Sequence, residues 1–390
     1  MTEKASFLCP RCGNQDPLLV GNKNGQPYCR KCIAFLGEEM TPPPYRSKTV
    51  GFRLEYSLSP EQTQLSKTIV SNYKNGIDTL IYAVCGSGKT EISYGVIGYA
   101  MSKGQRVGFA LPRRDVVIEL YARIKKAFPL SKIIAVYGGN HEQLEGDCII
   151  LTTHQLHRYP NYFDLLILDE IDAFPFKDNE VLQAFFEKSV RGHYVMMSAT
   201  PSKRIVSKFQ GEGKSILSLH TRFHKKPIPV PVIKVRLFFT KYWFLIATLR
   251  RFQKQKKPCL VFVPTIAMSE SLASLLKLFI PQGTCIHSKS EHRTKIIQLF
   301  KEGKYAYLVT TAVLERGVTI ENCQVIVFHA DSKIYDAAAL IQISGRAGRK
   351  SKAPLGEVYF IAERESEGMI RAIEEIQYCN TFLQGVHEAF

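Results

Sequence analysis

From residue 46 onward, short runs of β-branched and apolar residues alternate with longer stretches whose apolar positions recur at helical spacing. Such alternation marks βαβ units over a parallel sheet, since parallel neighbours need a crossover that is usually a helix. The pattern predicts strands at 79–84, 106–111, 133–136, 148–152, 165–169 and 194–199. It stops between residues 221 and 234, where His224-Lys225-Lys226-Pro227-Ile228-Pro229-Val230-Pro231 carries prolines that cannot donate to a central ladder. That stretch reads as a linker. Strands are expected again at 235–239, 259–263, 306–310, 325–328 and 357–361. Ahead of residue 46, Thr41-Pro42-Pro43-Pro44 reads as a stiff spacer closing a separate N-terminal segment. The fold class expected is α/β: two parallel-sheet domains in tandem at 46–220 and 235–390, joined by a linker at 221–234, behind a small module at 1–45.

With 390 residues, 45% apolar and 22% charged, the chain has ordinary globular composition. Disorder, collagen-like repeats and a small disulfide scaffold are thereby excluded as the main architecture. The longest uncharged run, 258–269, is twelve residues, and a bilayer span needs roughly 18 to 20. No transmembrane helix is expected. Met1-Thr2-Glu3-Lys4 leads into a cysteine pair and not an apolar stretch, so it does not read as a signal peptide. The net charge of +17 is a standing attraction for polyanions such as nucleic acid or anionic lipid. Net positive charges of 1, 5 and 11 fall in residues 1–45, 46–220 and 221–390, so the excess sits mainly in the C-terminal part.

Of ten cysteines, six (Cys85, Cys148, Cys259, Cys285, Cys323, Cys379) are scattered, mostly in apolar strand-like runs, and read as buried thiols of a reducing compartment. The other four form Cys9-Pro10-Arg11-Cys12 and Cys29-Arg30-Lys31-Cys32, two knuckles separated by sixteen residues. Each knuckle aims two sulfurs at one point, and a hairpin turning at Asn24-Gly25 would close a tetrahedron around zinc. A module of this size buries too little core to fold without metal. Two disulfides or a redox pair are the alternatives, and neither context fits them. A closed four-thiolate site stabilises or docks; it does not catalyse.

Ala83-Val84-Cys85-Gly86-Ser87-Gly88-Lys89-Thr90 follows an apolar strand and opens a helix-period segment. It reads as a phosphate loop, with Ala83 where the first glycine usually stands. Gly86, Ser87 and Gly88 let backbone N–H groups turn toward phosphate oxygens, Lys89 reaches the β and γ phosphates, and Thr90 can ligate Mg²⁺. Eighty residues beyond Lys89, Leu165-Leu166-Ile167-Leu168-Asp169-Glu170-Ile171-Asp172 places carboxylates just past a buried strand. Asp169 is placed to hold Mg²⁺ and Glu170 to orient and deprotonate an attacking water; a strand-end acidic cap is the bland alternative. Ser198-Ala199-Thr200 ends the next strand, and by itself is a weak signal. Gln342-Ile343-Ser344-Gly345-Arg346-Ala347-Gly348-Arg349 carries two arginines three apart, on one face if the segment is helical. Such guanidinium groups act as arginine fingers on a γ-phosphate, or else form a solvated basic helix end.

Together these segments resemble superfamily 2 helicases and translocases over nearly the whole chain from about residue 58. Leu58-Ser59-Pro60-Glu61-Gln62 resembles the motif whose glutamine, here Gln62, reads adenine. Residues 83–90, 169–172 and 198–200 resemble motifs I, II and III. Leu308 to Thr319 resembles motif V and Gln342 to Arg349 motif VI. The resemblance implies RecA-like domains, ATP and Mg²⁺ as cofactors, Gln342, Arg346 and Arg349 facing the γ-phosphate, and Gly317 near the nucleotide. Ala83, Thr319 and Ile343 depart from the common pattern.

Within the superfamily, a four-cysteine module on a short two-domain core is most similar to the late-competence family ComFA. The replication-restart family PriA is related in its motifs but longer, with its cysteines placed inside the second domain. Membership would imply a cytoplasmic ATPase, peripheral at the inner face of the membrane, pulling transforming single-stranded DNA through an uptake channel. It would also imply that channel and a ComF-operon phosphoribosyltransferase-like protein as partners. A duplex-unwinding helicase for replication restart or RNA is the alternative motor. A zinc-ribbon adaptor that only binds nucleic acid is the alternative of another class, and intact Lys89, Asp169, Glu170 and Arg349 speak against it.

For nucleic acid, family positions point to Pro112, Arg113 and Arg114, to Thr153, His154 and Gln155, and to Thr265 and Thr311. Arg113 and Arg114 read equally as a solvated helix start. Phe238-Phe239-Thr240-Lys241-Tyr242-Trp243-Phe244 offers stacking faces, but aromatic-rich strands usually bury, and core packing is the expectation for most of it. His287 is assigned no catalytic role.

Overall fold

The structure is a computed structural model and describes residues 7–84, 86–222, 224–314, 320–348 and 355–384. It contains two compact units, one of Met1–Ala83 with Gly88–Leu219, the other of Val84–Ser87 with His220–Phe390. The cysteine segment is thus counted with the first unit.

The first unit opens with an antiparallel hairpin, β1 (Val20–Lys23) and β2 (Gln26–Cys29). Asn24 and Gly25 both have positive φ, the pair of left-handed residues that a two-residue turn of this twist requires. Helix α1 (Pro60–Lys74) begins with a capping box. Ser59 Oγ accepts from the Gln62 N–H, Gln62 Oε1 accepts from the Ser59 N–H, and Pro60 occupies the first turn, where a missing donor costs nothing. Then follow β3 (Thr79–Ala83), α2 (Lys89–Ser102), β4 (Val107–Leu111), α3 (Arg114–Ala127), β5 (Ile133–Val136) and β6 (Cys148–Thr152). The unit closes with β7 (Phe163–Leu168), α4 (Glu180–Ser189), β8 (Val190–Ser198), α5 (Lys203–Gly211) and β9 (Ser215–Leu219).

Across this sheet the order is β5-β6-β4-β7-β8-β3-β9, with every pairing parallel. Alternate residues of one strand enter different cores: Phe109 and Ile167 pack with α2 and α3, Ala110 and Leu168 with α4. Covered on both faces, β4, β6 and β7 are buried at every position and read as unbroken apolar runs. The chain steps from β3 to β4 and later returns to fill the gap with β7 and β8. Their C-terminal ends therefore lie side by side with that of β3, where open α/β sheets bind ligands.

The second unit contains β10 (Val232–Val235), α6 (Phe238–Lys254), β11 (Cys259–Phe262), α7 (Ile266–Lys277), β12 (Gly283–Ile286) and α8 (Arg293–Lys301). It continues through β13 (Tyr307–Thr310), β14 (Gln324–Phe328), α9 (Ala337–Ser344), β15 (Val358–Ala362) and α10 (Glu367–Thr381). Its sheet is also parallel throughout, in the order β10-β15-β14-β11-β13-β12. No helix among the described residues is long and apolar enough to cross a membrane.

The structure departs from the sequence-based expectation in three places. Strands β9 and β12 had no counterpart in the pattern; β12 is only four residues long and opens on Gly283, a residue depleted in strands. The strand expected at 235–239 instead spans Val232–Val235, inside the stretch read as linker, and α6 begins at Phe238. β10 is an edge strand, so the prolines before it sacrifice no central ladder bond. The aromatic run is helical because its buried positions, Lys241, Leu245, Ile246, Thr248, Leu249 and Phe252, recur at helical period. Core packing fails for three of its rings: Phe238 is 75% exposed, Phe239 79% and Trp243 62%. Tyr242 and Phe244 do pack against the core.

Candidate nucleotide site, metal centre and nucleic-acid contacts

The first unit gathers Gly88, Lys89, Asp169, Asp172, Ser198 and Thr200 at the ends of β3, β7 and β8, while Gly86 and Ser87 of the same loop are counted with the second unit. Gly86 and Gly88 have φ of 84° and 83°, a left-handed conformation that a side chain would strain. A Cβ on Gly88 would lie 2.6 Å from Gln62 Nε2, so buried Gln62 rests against the phosphate loop while its other amide atom caps α1. Ser87 is buried and Thr90 half-buried in the first turn of α2. Lys89, the first residue of α2, brings Nζ to 3.9 Å from Asp169 Oδ1. The same oxygen accepts the Glu170 N–H at 2.8 Å.

Burial pushes the Asp169 carboxyl above its ordinary pKa; Lys89 pulls it back and the Glu170 charge opposes that. Further positive charge beside Asp169 would favour its ionised form. Glu170 sits at φ 58°, a conformation rare for a non-glycine residue and costing on the order of 1–3 kcal/mol. Asp172 is held at both oxygens: Ser198 Oγ donates to Oδ1 at 2.8 Å and Thr200 Oγ1 to Oδ2 at 3.0 Å. The Thr200 N–H in turn donates to Ser198 Oγ at 2.9 Å. The end of β8 is thereby tied to the acidic loop after β7.

At the N-terminus the four thiols converge, with all Sγ atoms within 4.8 Å of one another. Cys9 Sγ is 3.6 Å from Cys32 Sγ, and Cys12 Sγ is 3.6 Å from Cys29 Sγ. Four sulfurs at the usual zinc distance have tetrahedral edges of about 3.8 Å, whereas a disulfide needs about 2.05 Å. The donor set fits a four-thiolate metal site. Burial raises the Cys9 pKa, but backbone N–H groups of Cys12 and Arg11 outweigh it and bring the thiol to about 7. Burial dominates at Cys32 and pushes it up.

This module packs on the same unit. The Phe35 ring lies edge-on to Phe185 at 5.0 Å and stacks on His154 at 6.1 Å. Arg158 Nη2 donates to the Leu36 carbonyl at 3.4 Å, and the Met40 N–H donates to the Arg158 carbonyl at 2.7 Å. His157 Nε2 lies 3.2 Å from the Leu36 carbonyl oxygen. The turn at 153–158 that carries Thr153, His154 and Gln155 is thus clamped by residues 35–40. Thr153 is fully buried, and His154 and Gln155 are half-buried, with Gln155 Oε1 accepting from Arg158 Nε at 2.7 Å. Arg113 flanks the start of α3, and the exposed Arg114 guanidinium lies 4.9 Å from the Tyr137 ring centroid.

In the second unit, Thr265 caps α7 by accepting the Met268 N–H, and Thr311 follows β13. Gln342 is buried in α9, which stops at Ser344. Arg346 therefore lies in a turn beyond the helix, so the reading of two arginines on one helical face does not apply to it. Arg349 lies outside the described residues, as do Gly317, Thr319 and Cys85.

Two residues that sequence reasoning passed over hold the turn after α9. Arg222 is 2% exposed. Its Nη1 donates to the carbonyls of Ala347 at 3.0 Å and Gly348 at 2.9 Å, and its Nη2 to Gly345 at 3.2 Å. His224 adds a contact from Nε2 to the Gly348 carbonyl at 3.1 Å, while its Nδ1 accepts the Lys226 N–H at 3.2 Å. The one signal available was an arginine in a stretch with neither helical nor strand period. Phe35 had no signal beyond its distance of three residues from Cys32.

Residues 55–203 match the family described as type III restriction enzyme, res subunit, and residues 240–351 match the helicase conserved C-terminal domain. The competence protein ComFA of Bacillus subtilis (strain 168) is 32% identical over 97% of this chain and 86% of its own length. The competence protein ComFA of Streptococcus pneumoniae (strain R6) is also 32% identical, over 97% of this chain and 91% of its own. Among solved structures, Saccharomyces cerevisiae Dbp5 bound to RNA and ADP BeF3 superposes with a TM-score of 0.61 at 15% identity. It covers 83% of this chain and 92% of that one, a likeness of fold.

Proposed function

Because the chain belongs to the ComFA family, and its two RecA-like helicase domains make it an ATP-hydrolysing superfamily 2 enzyme that binds nucleic acid, we propose that it is a single-stranded DNA translocase driving uptake of transforming DNA. The observation that carries the reading is the constellation at the ends of β3, β7 and β8: Lys89 3.9 Å from Asp169, with Asp172 held by Ser198 and Thr200. An adaptor has no use for a half-buried lysine and carboxylate kept together beside a left-handed glycine, Gly88.

In this reading the N–H groups of residues 86–90 and Lys89 bind the phosphates, with the N-terminus of α2 adding positive field. Thr90 and Asp169 would hold Mg²⁺, which would supply neutralisation of charge developing on the phosphates. Glu170 orients the attacking water and takes its proton. Gln62, packed on Gly88, reads the base. Gln342, Arg346 and Arg349 are assigned to the γ-phosphate charge, and Gly317 to the nucleotide. Cys9, Cys12, Cys29 and Cys32 hold a structural zinc. Arg113, Arg114, His154, Gln155, Thr265 and Thr311 serve the DNA backbone, and Thr153, assigned with them from the sequence, is enclosed. The uptake channel and a phosphoribosyltransferase-like protein are the partners the family resemblance implies for this role, at the inner face of the membrane.

The test is steady-state ATPase of the zinc-loaded chain with matched single-stranded DNA, duplex DNA and single-stranded RNA at fixed salt. Stimulation chiefly by single-stranded DNA, abolished in Lys89→Ala, is expected. Stimulation chiefly by duplex or RNA would replace the uptake role with an unwinding one. No activity with any of them would make the chain an adaptor.

A further inference from the structure

Helix α6 buries Lys241, Leu245, Ile246, Thr248, Leu249 and Phe252. The opposite stripe, Phe239, Trp243, Ala247, Arg250 and Lys254, is exposed along its length. These positions follow the i, i+4, i+8, i+11, i+15 spacing of one helical face. The two rings come first and the two cations follow, over about 22 Å of helix. Phe279, 6.1 Å from Trp243, widens the apolar end. The Arg250 guanidinium stands 5.8 Å from the Phe279 ring centroid, carrying positive charge to the edge of the aromatic surface.

Large rings held in water at adjacent turns are costly to leave uncovered and mark an interaction site. Its occupant is decided by charge. No position of the stripe is acidic, both of its ionisable groups are cations, and residues 221–390 carry eleven of the chain's seventeen net positive charges. Aromatic faces for bases beside cations for phosphates are the chemistry of sequence-tolerant single-strand binding. The helix also starts from the C-terminal end of β10, the end of the sheet at which Thr265 follows β11 and Thr311 follows β13.

We propose that this stripe is a stacking platform for single-stranded nucleic acid, with bases on Phe239 and Trp243 and phosphates on Arg250 and Lys254. It rests on the motor reading above and adds a contact surface outside the helicase motifs.

Trp243 is the chain's single tryptophan, so its emission reports on this stripe alone. Oligothymidylate is titrated into the full zinc-loaded chain while tryptophan emission and the anisotropy of a labelled oligonucleotide are followed together. Saturable quenching is expected, with the same midpoint as the anisotropy. Phe239→Ala with Trp243→Ala should weaken binding at least about thirtyfold, and Trp243→Phe should retain most of the affinity. Arg250→Ala with Lys254→Ala should lower the slope of log affinity against log salt by about 1.4. ATPase without nucleic acid should be unchanged in all of them.

An oligonucleotide that binds by anisotropy while emission stays flat, and binds the double aromatic variant equally well, overturns the platform and leaves the motor standing. A wild-type chain that binds no oligonucleotide overturns both. Emission that responds to protein concentration or to phosphatidylglycerol vesicles, and not to oligothymidylate, gives the stripe to a second copy or to a membrane and also overturns the proposal.

Discussion

Two short turns carry proposed site residues, 153–158 in the first unit and 345–348 in the second, and both are pinned from segments outside the βα pattern. The first is held by residues 35–40 of the cysteine module, through the Phe35 ring and through backbone bonds to Arg158. The second is held by Arg222 and His224, which bind the carbonyls of Gly345, Ala347 and Gly348. One clamp is a ring on rings, carried by the four-cysteine module. The other is a buried guanidinium whose donors replace water at three carbonyls. Apolar packing fails gradually when trimmed, whereas a buried charge-assisted network loses several bonds in one substitution. The two clamps should therefore break in different ways.

The largest effect is expected at Arg222. Arg222→Ala leaves the buried carbonyls of Gly345 and Ala347 without this donor and Gly348 with His224 alone, and two unsatisfied buried groups cost about 2–6 kcal/mol. The second unit should unfold at lower denaturant while the first keeps its midpoint. If the turn positions Arg346 for hydrolysis, kcat should fall on the order of a hundredfold with little change in the KM for ATP, as for a misplaced catalytic group. Arg222→Lys keeps the charge but not the fork and should lie between. A variant with wild-type kcat would reduce Arg222 to a structural role.

Neither clamp was legible in the sequence, although the segments they hold had been singled out there. Lys89, Asp169 and the cysteine knuckles were readable because their chemistry demands particular residue types at spacings that strand, turn and helix impose. Arg222 and Phe35 bind backbone carbonyls and ring faces that folding brings near, and no local spacing encodes that. Phe239 and Trp243 failed for another reason: a run of rings was given strand period and a core role. Counting Lys241, Leu245, Leu249 and Phe252 at helical spacing would have placed both rings on the solvent side. The missed β9 and β12 lie at or next to sheet edges, where short strands carry weak apolar signals.

An intermediate effect is expected at the cysteine clamp. Stripping the metal with a chelator should free residues 35–40 and expose the amides they protect, including Met40 N–H, which donates to Arg158. Phe35→Ala should do part of this with the metal in place. Loss of one half-buried ring is worth about 1–2 kcal/mol, or roughly a five- to thirtyfold fall in hydrogen-exchange protection over 36–40 and 153–158. Protection that survives both treatments would show that the turn stands without the module, and the likeness between the two clamps would then be one of position only.

The smallest effect is a pH dependence that separates the clamps by residue. In the second, His224 Nδ1 accepts the Lys226 N–H, so the ring proton belongs on Nε2, facing Gly348. Burial, followed by the Arg222 charge, lowers its pKa below the ordinary 6.5. In the first clamp burial likewise lowers His157, partly offset by the carbonyls of His154 and Leu36. With the folded pKa depressed, the unfolded chain binds more protons near pH 6, so this stability is present above 6.5 and is lost as pH falls below it. The melting temperature of each unit should therefore decline between pH 7 and pH 5.5. His224→Gln, which keeps a donor for Gly348 and an acceptor for Lys226 but cannot take up a proton, should make that decline shallower in the second unit, where half-buried His220 and His329 still contribute, and leave it unchanged in the first. Equal flattening in both units would mean that the acid response is shared across the chain and does not reside in the ring that completes the Arg222 clamp.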